Sequence, residues 1–588
     1  MFSQAIKQEM MASYSPIFCA QNKTNILCRY SIVLTISSLY FVELHCNIVP
    51  IKEASIVSPV NGNRLWNCLD GYHNRAFIAD GFRRGFFIGM PHNNNVPVNN
   101  YSNANPKPAK NRQVMIDKLN VELKAGRILG PYCKSPIPFA TFSPLYVIPK
   151  STPGKFRLIH DLSKPASCSV NYNIPESLKS VQYSTVIEVA EFLATTSEED
   201  GSMWYMAKVD LQDAYRNVPI NKEDWRYLGM IFEDKLLIDT CLPMGLSTSC
   251  RIFDSISKSL AWVHTKRYPQ SKIFSYLDDF LILARTESDC KRALDSFLDL
   301  LKFLGFPIST QKTVQPSTSV EFLGLGLNSE NLSFYVPESK RIKISDDITS
   351  FLAKSSHRVH RIQKLVGKLT FLCTTFLPGK ALLAGLYRNL AGILSSNGWA
   401  QRRINTAVRN DLSTWLSFLS QTAGKPFKFI FPQISDFEDV MYTDASGSVG
   451  FGGVLGKEWF QADWSDDWWH QKNIALLELV PVYIGVVLCH EKLSNKTLAV
   501  FTDNNALVAM IQTFYSRDKG INNLLKALAL FTMRKNIVIK TQHVKGKHNI
   551  VADKLSRGVP GKQILSDEYR QLLIPRGFLQ QLKIIIMD

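Results

Sequence analysis

The feature that most constrains the fold is a pair of adjacent aspartates, Asp278 and Asp279, between two apolar runs at residues 273–277 and 280–283. Two apolar runs separated by two residues predict a β-hairpin, although Asn-Gly or Asp-Gly would be the favoured turn. Neighbouring carboxylates repel each other, and a divalent cation would offset that repulsion. A solvated turn with two surface acids is the competing interpretation, and the hairpin alone does not decide between the two.

Length and charge limit the classes of protein that this chain can represent. With 588 residues and 45% hydrophobic content, it is too long for one core and too apolar for a disordered chain, which favours two to four domains. The 68 Lys and Arg exceed the 50 Asp and Glu, giving a net charge of +18 that favours a polyanionic partner. The 11 cysteines form no Cys-x-x-Cys pair, so we expect reduced thiols and no zinc site.

The apolar stretch at residues 26–50 is interrupted by charged and polar residues, and its uninterrupted core is too short to span a bilayer. We therefore expect no membrane partner and an intracellular location, in the cytoplasm, the nucleus or both. Residues 92–110 are rich in Asn and Pro and predict a linker, whereas residues 114–129 have the apolar spacing of an amphipathic helix.

A third carboxylate completes the first candidate site. Asp210 ends an apolar run, where a strand could deliver it beside the Asp278–Asp279 hairpin. Three carboxylates from two places would hold two Mg²⁺ ions, one activating a 3′-hydroxyl and the other binding a triphosphate.

Four motifs in order resemble those of reverse transcriptases: Asp-x-x-x-Ala-Tyr at 210–215, Leu-Pro-x-Gly-x-Ser at 242–247, Tyr-x-Asp-Asp at 276–279 and Phe-Leu-Gly at 322–324. The resemblance implies that Asp210, Asp278 and Asp279 are the metal ligands. It also implies that Tyr215 is the aromatic gate that clashes with a ribose 2′-hydroxyl, so that the product is DNA.

The resemblance extends upstream to the basic segment at residues 147–163, which is similar to the fingers strands of the family. It implies that Lys150 and Arg157 contact the incoming triphosphate, a role that suits the point charge of Lys and the bidentate fork of Arg. Lys312 matches the family's proposed proton donor to pyrophosphate. A solvated basic surface would explain each of these three residues as well.

A second set of carboxylates follows in the C-terminal third. Asp444 and Asp503 end β-rich runs, Glu478 lies in an apolar helical run where a charge needs a partner, and Asp553 lies near the start of the last predicted helix. This order resembles ribonuclease H, which implies that these four residues hold a second pair of Mg²⁺ ions, with Mn²⁺ as a substitute. We assign no catalytic role to His548, because Lys547 occupies the nearest position that matches the family's histidine.

The predicted fold is an α+β right-hand polymerase with fingers, palm and a helical thumb, followed by an α/β ribonuclease H-like domain. The predicted segments are a poorly specified leader and linker (1–105), fingers and palm (106–340), helical thumb and connection (341–435), the ribonuclease H-like domain (436–560) and a C-terminal tail (561–588).

The upstream pattern at residues 79–89, 122–132 and 143–171 is most similar to the polymerases of DIRS-type retrotransposons, which use a tyrosine recombinase, and gypsy-like and pararetroviral polymerases are next nearest. The expected activity is RNA- and DNA-templated DNA synthesis together with cleavage of RNA in RNA–DNA hybrids. Expected partners are an RNA template, a DNA primer, dNTPs and a separately encoded recombinase or nucleocapsid-like protein. A decayed or domesticated copy that only binds nucleic acid is the alternative, and an RNA-synthesising polymerase is a third.

Overall fold

The computed structural model describes residue 51 and residues 53–91, 112–150, 154–200, 203–391, 400–429 and 439–587. The predicted linker at 92–110 and the apolar stretch at 26–50 lie outside the described residues.

The helices, numbered in chain order, are α1 Gly62–Cys68, α2 Arg75–Arg84, α3 Arg112–Lys124, α4 Val170–Asn173, α5 Val186–Asp200, α6 Ser249–Arg267, α7 Glu287–Leu304, α8 Glu338–Leu352, α9 Val359–Leu372, α10 Ala384–Leu390, α11 Thr406–Gln421, α12 Asp467–His470, α13 Ile474–Leu488, α14 His490–Leu493, α15 Asn505–Thr513, α16 Lys519–Lys535, α17 Ile550–Ser556, α18 Gly561–Ile564 and α19 Phe578–Met587. Short 3-10 helices span Glu176–Leu178, Ala214–Asn217, Lys222–Tyr227, Thr310–Lys312, Leu377–Leu383 and Gly546–His548.

The strands are β1 Ile128–Tyr132, β2 Phe142–Ser143, β3 Leu145–Pro149, β4 Phe156–His160, β5 Tyr205–Asp210, β6 Gly229–Phe232, β7 Lys235–Asp239, β8 Lys272–Tyr276, β9 Asp279–Ala284, β10 Val314–Ser317, β11 Ser319–Phe322, β12 Leu325–Asn328, β13 Ser333–Tyr335, β14 Ser356–Arg358, β15 Gln401–Arg403, β16 Phe427–Lys428, β17 Asp439–Ala445, β18 Gly450–Leu455, β19 Glu458–Asp463, β20 Thr497–Thr502, β21 Val538–His543 and β22 Arg570–Gln571.

The first of two compact units comprises the described residues within Phe87–Pro175 and Pro219–Ser247, together with those before residue 58. It holds a four-stranded sheet in the order β1-β7-β6-β2 and the separate hairpin β3–β4. Helix α3 buries Ile116 and Leu119 against Leu237 of β7. The helix predicted over residues 114–129 ends earlier, at Lys124, because Gly126 adopts a left-handed φ of +68° before β1 begins.

The second unit contains the candidate palm, a four-stranded antiparallel sheet in the order β10-β5-β9-β8. Apolar residues of β5 and β9 alternate toward the core, where Met206, Leu281 and Leu283 pack with Val189 and Leu193 of α5. The aromatic rings of Phe280 on β9 and Phe297 on α7 lie 5.0 Å apart. These contacts fix the strand ends that carry the three aspartates.

Part of the segment predicted as a poorly specified leader is folded. Helices α1 and α2 bury Leu65, Ile78 and Phe82, and the backbone N–H of Asn61 donates to the carbonyl of Leu304 at 2.8 Å. Each of these short helices is stabilised because its apolar residues are buried against the rest of the second unit. A sequence pattern over ten residues does not reveal such burial.

The region predicted as helical thumb and connection consists of α8 to α11 and a two-stranded ladder, β14–β15. Its core contains Ile348 of α8, Leu369 of α9, and Leu412 and Trp415 of α11. A separate four-stranded sheet has the strand order β11-β12-β13-β16. Strands β11 to β13 come before α8 in the chain, and β16 comes after α11.

The C-terminal part is a six-stranded mixed sheet in the order β21-β20-β17-β18-β19-β22. Strands β17, β20 and β21 run parallel, and α13 lies against β17 and β18 with nearly all of its residues buried. Residues 561–588, predicted as a tail, instead supply β22 to the sheet edge and α19, whose Leu582 and Ile586 join the core. Within the described part of the chain, none of the helices combines the length and apolarity needed to cross a membrane.

Candidate active sites

The register of the palm strands brings the first three aspartates together. Strands β5 and β9 are antiparallel, with Asp210 directly opposite Asp279. The backbone N–H of Leu211 donates to the carbonyl of Asp278 at 3.0 Å, which fixes the hairpin beside the end of β5. The predicted hairpin is present, but its turn is Leu277–Asp278 and not Asp278–Asp279, because Asp279 already pairs with Tyr276.

The environment of Asp278 and Asp279 disfavours the charged form of both carboxyl groups. Burial, and then the neighbouring Asp279 and Asp210, raise the pKa of Asp278. Burial also raises the pKa of Asp279, and the ammonium group of Lys208 partly opposes that effect. A cation placed among these carboxylates would relieve the repulsion.

Two lysines already contact the palm carboxylates. The Nζ atom of Lys312 lies 2.8 Å and 2.9 Å from the two carboxylate oxygens of Asp210. The Nζ atom of Lys208 lies 3.0 Å from Oδ1 of Asp279, whereas Asp278 makes no ion pair with any described residue. Asp210 thus binds a cationic group with both oxygens, and the donor set is the carboxylate type that Mg²⁺ prefers.

Tyr215 lies in the 3-10 helix that follows Asp210 and packs against helix α6. Its ring is 5.3 Å from that of Phe253, and its hydroxyl donates to Sγ of Cys250 at 3.2 Å. Burial and this hydrogen bond raise its pKa, so the phenol stays neutral. Both contacts come from α6 and hold the ring against that helix, and its function as a gate stays a prediction.

Lys150 and Arg157 lie in the first unit, near the hairpin β3–β4. Arg157 is in β4 opposite Ile148, and Lys150 follows β3, with its backbone N–H bonded to the carbonyl of Lys155 at 2.7 Å. Both side chains are exposed. Their predicted contact with a triphosphate stays a prediction.

Three of the four C-terminal carboxylates form one cluster. Asp444 is on β17, Glu478 is on α13, and Asp503 follows β20, and one oxygen from each lies within 4.8 Å of the others. Parallel pairing of β17 with β20 brings the two strand ends to the same edge of the sheet. No other group of three metal-ligating side chains as close as this is found among the described residues.

The electrostatics of this cluster favour a bound cation. Burial, followed by the charges of Asp444 and Asp503, raises the pKa of Glu478 to about 9. Burial also raises the pKa of Asp444, which accepts a hydrogen bond from the hydroxyl of Ser556. Oε2 of Glu478 is buried without a hydrogen-bond partner. A buried, unpartnered carboxylate oxygen beside two further carboxylates fits a divalent metal ion.

Asp553 is not part of this close cluster. It lies in the first turn of α17, as predicted, but its carboxylate accepts a hydrogen bond from Nε of Arg557 at 2.8 Å. Its charge nevertheless raises the pKa of Asp444, so the two carboxylates are neighbours. His548 is exposed in the short 3-10 helix Gly546–His548 before α17.

Sequence reasoning missed two contacts of these sites, those of Lys208 and Ser556. Lys208 lies two residues before Asp210, so strand periodicity places both side chains on one face of β5. Ser556 lies three residues after Asp553, one helical turn away. In both cases the sequence spacing places the residue near a predicted ligand. It does not reveal the residue that each contacts, which is Asp279 for Lys208 and Asp444 for Ser556.

Residues 148–327 match the family model described as "Reverse transcriptase (RNA-dependent DNA polymerase)", so this part of the chain is similar to that family. The matched range contains Asp210, Asp278 and Asp279 but none of the four C-terminal carboxylates.

Three viral proteins are similar over part of the chain. The Gag-Pro-Pol polyprotein of Human T-cell leukemia virus 2 is 23% identical over 229 residues, which are 38% of this chain and 14% of the polyprotein. Protein P of Woodchuck hepatitis B virus (isolate 2) is 25% identical over 151 residues, 26% of this chain and 17% of that protein. The Gag-Pol polyprotein of Avian reticuloendotheliosis virus is 23% identical over 315 residues, 52% of this chain and 25% of the polyprotein. The matched regions thus span a quarter or less of these relatives.

Solved structures of a foamy viral protease-reverse transcriptase also align with the chain. The complex with dsDNA has a TM-score of 0.44 and 16% identity, covering 86% of this chain and 99% of that chain. The complex with an RNA/DNA hybrid has a TM-score of 0.43 and 14% identity, covering 86% of this chain and 64% of that chain.

Proposed function

We propose that this chain is the reverse transcriptase of a retroelement. It synthesises DNA on RNA and DNA templates at Asp210, Asp278 and Asp279, and it hydrolyses the RNA strand of RNA–DNA hybrids at Asp444, Glu478, Asp503 and Asp553. The observation that carries the proposal is the strand register within the family-matched range, which places Asp210 opposite Asp279 at the hairpin that presents Asp278.

At the palm, each protein group has a distinct task. Two Mg²⁺ ions, or Mn²⁺ in their place, supply the Lewis acidity that activates the primer 3′-hydroxyl and neutralises the triphosphate. The aspartates hold these ions. Lys312, which contacts Asp210, would leave that carboxylate to a metal ion, and its ammonium group would protonate the leaving pyrophosphate. The ring of Tyr215 excludes a 2′-hydroxyl, while Lys150 and Arg157 bind phosphate oxygens.

In the C-terminal domain, the buried Glu478 and Asp444 and the exposed Asp503 would hold the metal ions. Asp553 lies at the edge of the cluster, where Arg557 is its present partner. Release of that ion pair would let Asp553 join the other ligands. The exposed Lys545 and Lys547 are suited to contact the phosphates of the hybrid.

We further propose a DIRS-type element as the source, because the upstream pattern at residues 79–89 and 122–132 is most similar to that group. The partners are then an RNA template, a DNA primer, dNTPs, RNA–DNA hybrids and a separately encoded recombinase or nucleocapsid-like protein. The proposed subcellular location is the cytoplasm, the nucleus or both.

Primer extension on poly(rA)/oligo(dT) with Mg²⁺ or Mn²⁺ tests the proposal. Incorporation of dTTP by the wild-type chain, and its loss in Asp278→Asn, would support it. The charged residue Asp295, which lies in an exposed ion pair with Lys291, gives a control variant, Asp295→Asn, that should extend normally. A folded protein that binds the template–primer but incorporates no nucleotide would refute the proposal and favour a chain that only binds nucleic acid.

A further inference from the structure

Helix α6 presents two side chains to Tyr215. Cys250 and Phe253 are three residues apart and therefore lie on one face of this helix. The hydroxyl of Tyr215 donates to Sγ of Cys250 at 3.2 Å, and the ring of Tyr215 lies 5.3 Å from that of Phe253. One contact holds the hydroxyl of the tyrosine and the other holds its ring.

These two contacts constrain Tyr215 in different ways. Each atom pair between packed rings contributes little, so a ring can shift along its neighbour at small cost. A hydrogen bond has a preferred distance and angle, so it fixes the position of the hydroxyl. Cys250, more than Phe253, therefore determines where the hydroxyl end of the Tyr215 ring lies.

The ring of Tyr215 lies beside the palm carboxylates. Burial, then Cys250, and then the charges of Tyr183 and Asp278 raise the pKa of Tyr215. The phenol therefore keeps its proton and remains the donor to Cys250. A change in the position of this ring takes place within electrostatic range of a proposed metal ligand.

A second tyrosine approaches the same sulfur from the side of the hairpin. The ring of Tyr183 lies 4.9 Å from that of Tyr276, which pairs with Asp279. Burial, and then a hydrogen bond with Cys250, raise the pKa of Tyr183. The thiol of Cys250 thus lies between two phenol groups, one of which packs on the hairpin that carries the aspartates.

We propose that Cys250 is a positioning residue that contributes to sugar selection by holding Tyr215 in place. A nucleotide with a 2′-hydroxyl displaces the Tyr215 ring, and that displacement breaks the hydrogen bond to Cys250. The bond is then part of the free-energy cost of accepting a ribonucleotide, whereas a deoxynucleotide leaves it intact. The inference rests on the proposed polymerase function, with Tyr215 as its gate, and adds the residue that holds the gate.

Four variants distinguish this role from a general effect on packing. Cys250→Ala removes the acceptor, and Cys250→Ser replaces it with a hydroxyl that can also accept. Tyr215→Phe removes the donor and keeps the ring. Ser255→Ala is the matched control on the same helix, because the hydroxyl of Ser255 donates to the carbonyl of Arg251 within α6 at 3.0 Å.

Single-nucleotide extension of poly(rA)/oligo(dT) by the full chain measures the kcat/KM of rUTP relative to that of dTTP. We expect Cys250→Ala and Tyr215→Phe each to raise this ratio about three- to tenfold, mainly through a lower KM for rUTP, because one hydrogen bond is lost. Cys250→Ser should lie closer to wild type than Cys250→Ala does, and Ser255→Ala should leave the ratio unchanged. In the Tyr215→Phe background, Cys250→Ala should change the ratio by less than about twofold, because the bond is already absent.

An unchanged ratio in Cys250→Ala would overturn the proposal. So would an equal effect of Cys250→Ala with and without the Tyr215 hydroxyl, since Cys250 would then act through packing alone. Should Cys250→Ala not fold, Tyr215→Phe decides: a raised ratio supports the proposal, and an unchanged ratio overturns it.

A wild-type chain that incorporates no dTTP would refute the proposed function. The affinities of dTTP and rUTP for the complex with a dideoxy-terminated primer and Ca²⁺, which need no catalysis, would then decide the role of Cys250. A preference for dTTP that Cys250→Ala weakens would support the proposal. A preference that is unchanged in Cys250→Ala, or no binding of either nucleotide, would overturn it.

Discussion

The buried Glu478 provides the sharpest test of the second carboxylate cluster in the metal-free protein. Its pKa rises from 4.5 to about 9 on folding, first through burial and then through Asp444 and Asp503. Between these two values the folded state binds a proton that the unfolded state releases, so the free energy of unfolding falls as the pH rises. At 1.36 kcal/mol per pH unit, the raised pKa of Glu478 lowers the free energy of unfolding by about 1 kcal/mol at pH 5.5 and by about 5 kcal/mol at pH 8.

Glu478→Gln removes this titration and keeps the shape of the side chain. We therefore expect it to increase the free energy of unfolding by about 1 kcal/mol at pH 5.5 and by about 5 kcal/mol at pH 8. Guanidinium denaturation of the full chain with EDTA at both pH values measures the difference. The exposed Glu491 on α14 gives a matched control, Glu491→Gln, that should change neither value.

A pH-independent effect of Glu478→Gln would refute the reasoning, because it would mean that the carboxyl group ionises as easily in the fold as in water. With Mg²⁺ in place of EDTA, the wild-type chain should regain stability at pH 8. The variant, which lacks the buried carboxylate, should gain less from Mg²⁺.

Three further results are expected. Burial lowers the pKa of His264 to about 4, so the chain should lose about 2 kcal/mol of unfolding free energy between pH 7 and pH 4.5, and His264→Gln should remove that loss in denaturation curves. Tyr215→Ala should raise the efficiency of rUTP incorporation relative to dTTP by at least about tenfold in single-nucleotide extension, and an unchanged ratio would exclude a gate role. Asp411→Asn breaks a buried 2.6 Å contact with Lys526 and should destabilise the chain by about 3 kcal/mol, measured as a lower thermal midpoint, whereas an unchanged midpoint would mean that the pair contributes little.

The sequence predicted the palm well because its signals are local. Two apolar runs around Asp278 and Asp279 predict a hairpin, and an aspartate after an apolar run predicts a strand end. The turn moved by one residue, because Leu277 adopts a left-handed φ of +52° and lets Asp279 join β9. Period-two alternation cannot specify such a shift without knowledge of the partner strand.

The parts that the sequence predicted poorly depend on contacts between distant segments. Helices α1 and α2 are short, and they are stabilised by packing on residues more than 200 positions away, as the bond from Asn61 to Leu304 illustrates. Strand β22 has two residues and pairs with β19 about 110 positions earlier, so no pattern within residues 561–588 reveals it. Asp553 pairs with Arg557 because Arg557 follows directly after α17, four residues beyond Asp553, and the resemblance to a ligand set does not predict this contact.

The most direct test of the central claim follows both activities on one substrate, a 5′-labelled RNA template annealed to a differently labelled DNA primer. The wild-type chain should extend the primer and cleave the RNA of the hybrid. Asp278→Asn should abolish extension and keep cleavage of a preformed hybrid, and Asp444→Asn should abolish cleavage and keep extension. Loss of both activities in either variant, or neither activity in a folded wild-type chain that binds the substrate, would contradict the account of two separate carboxylate centres.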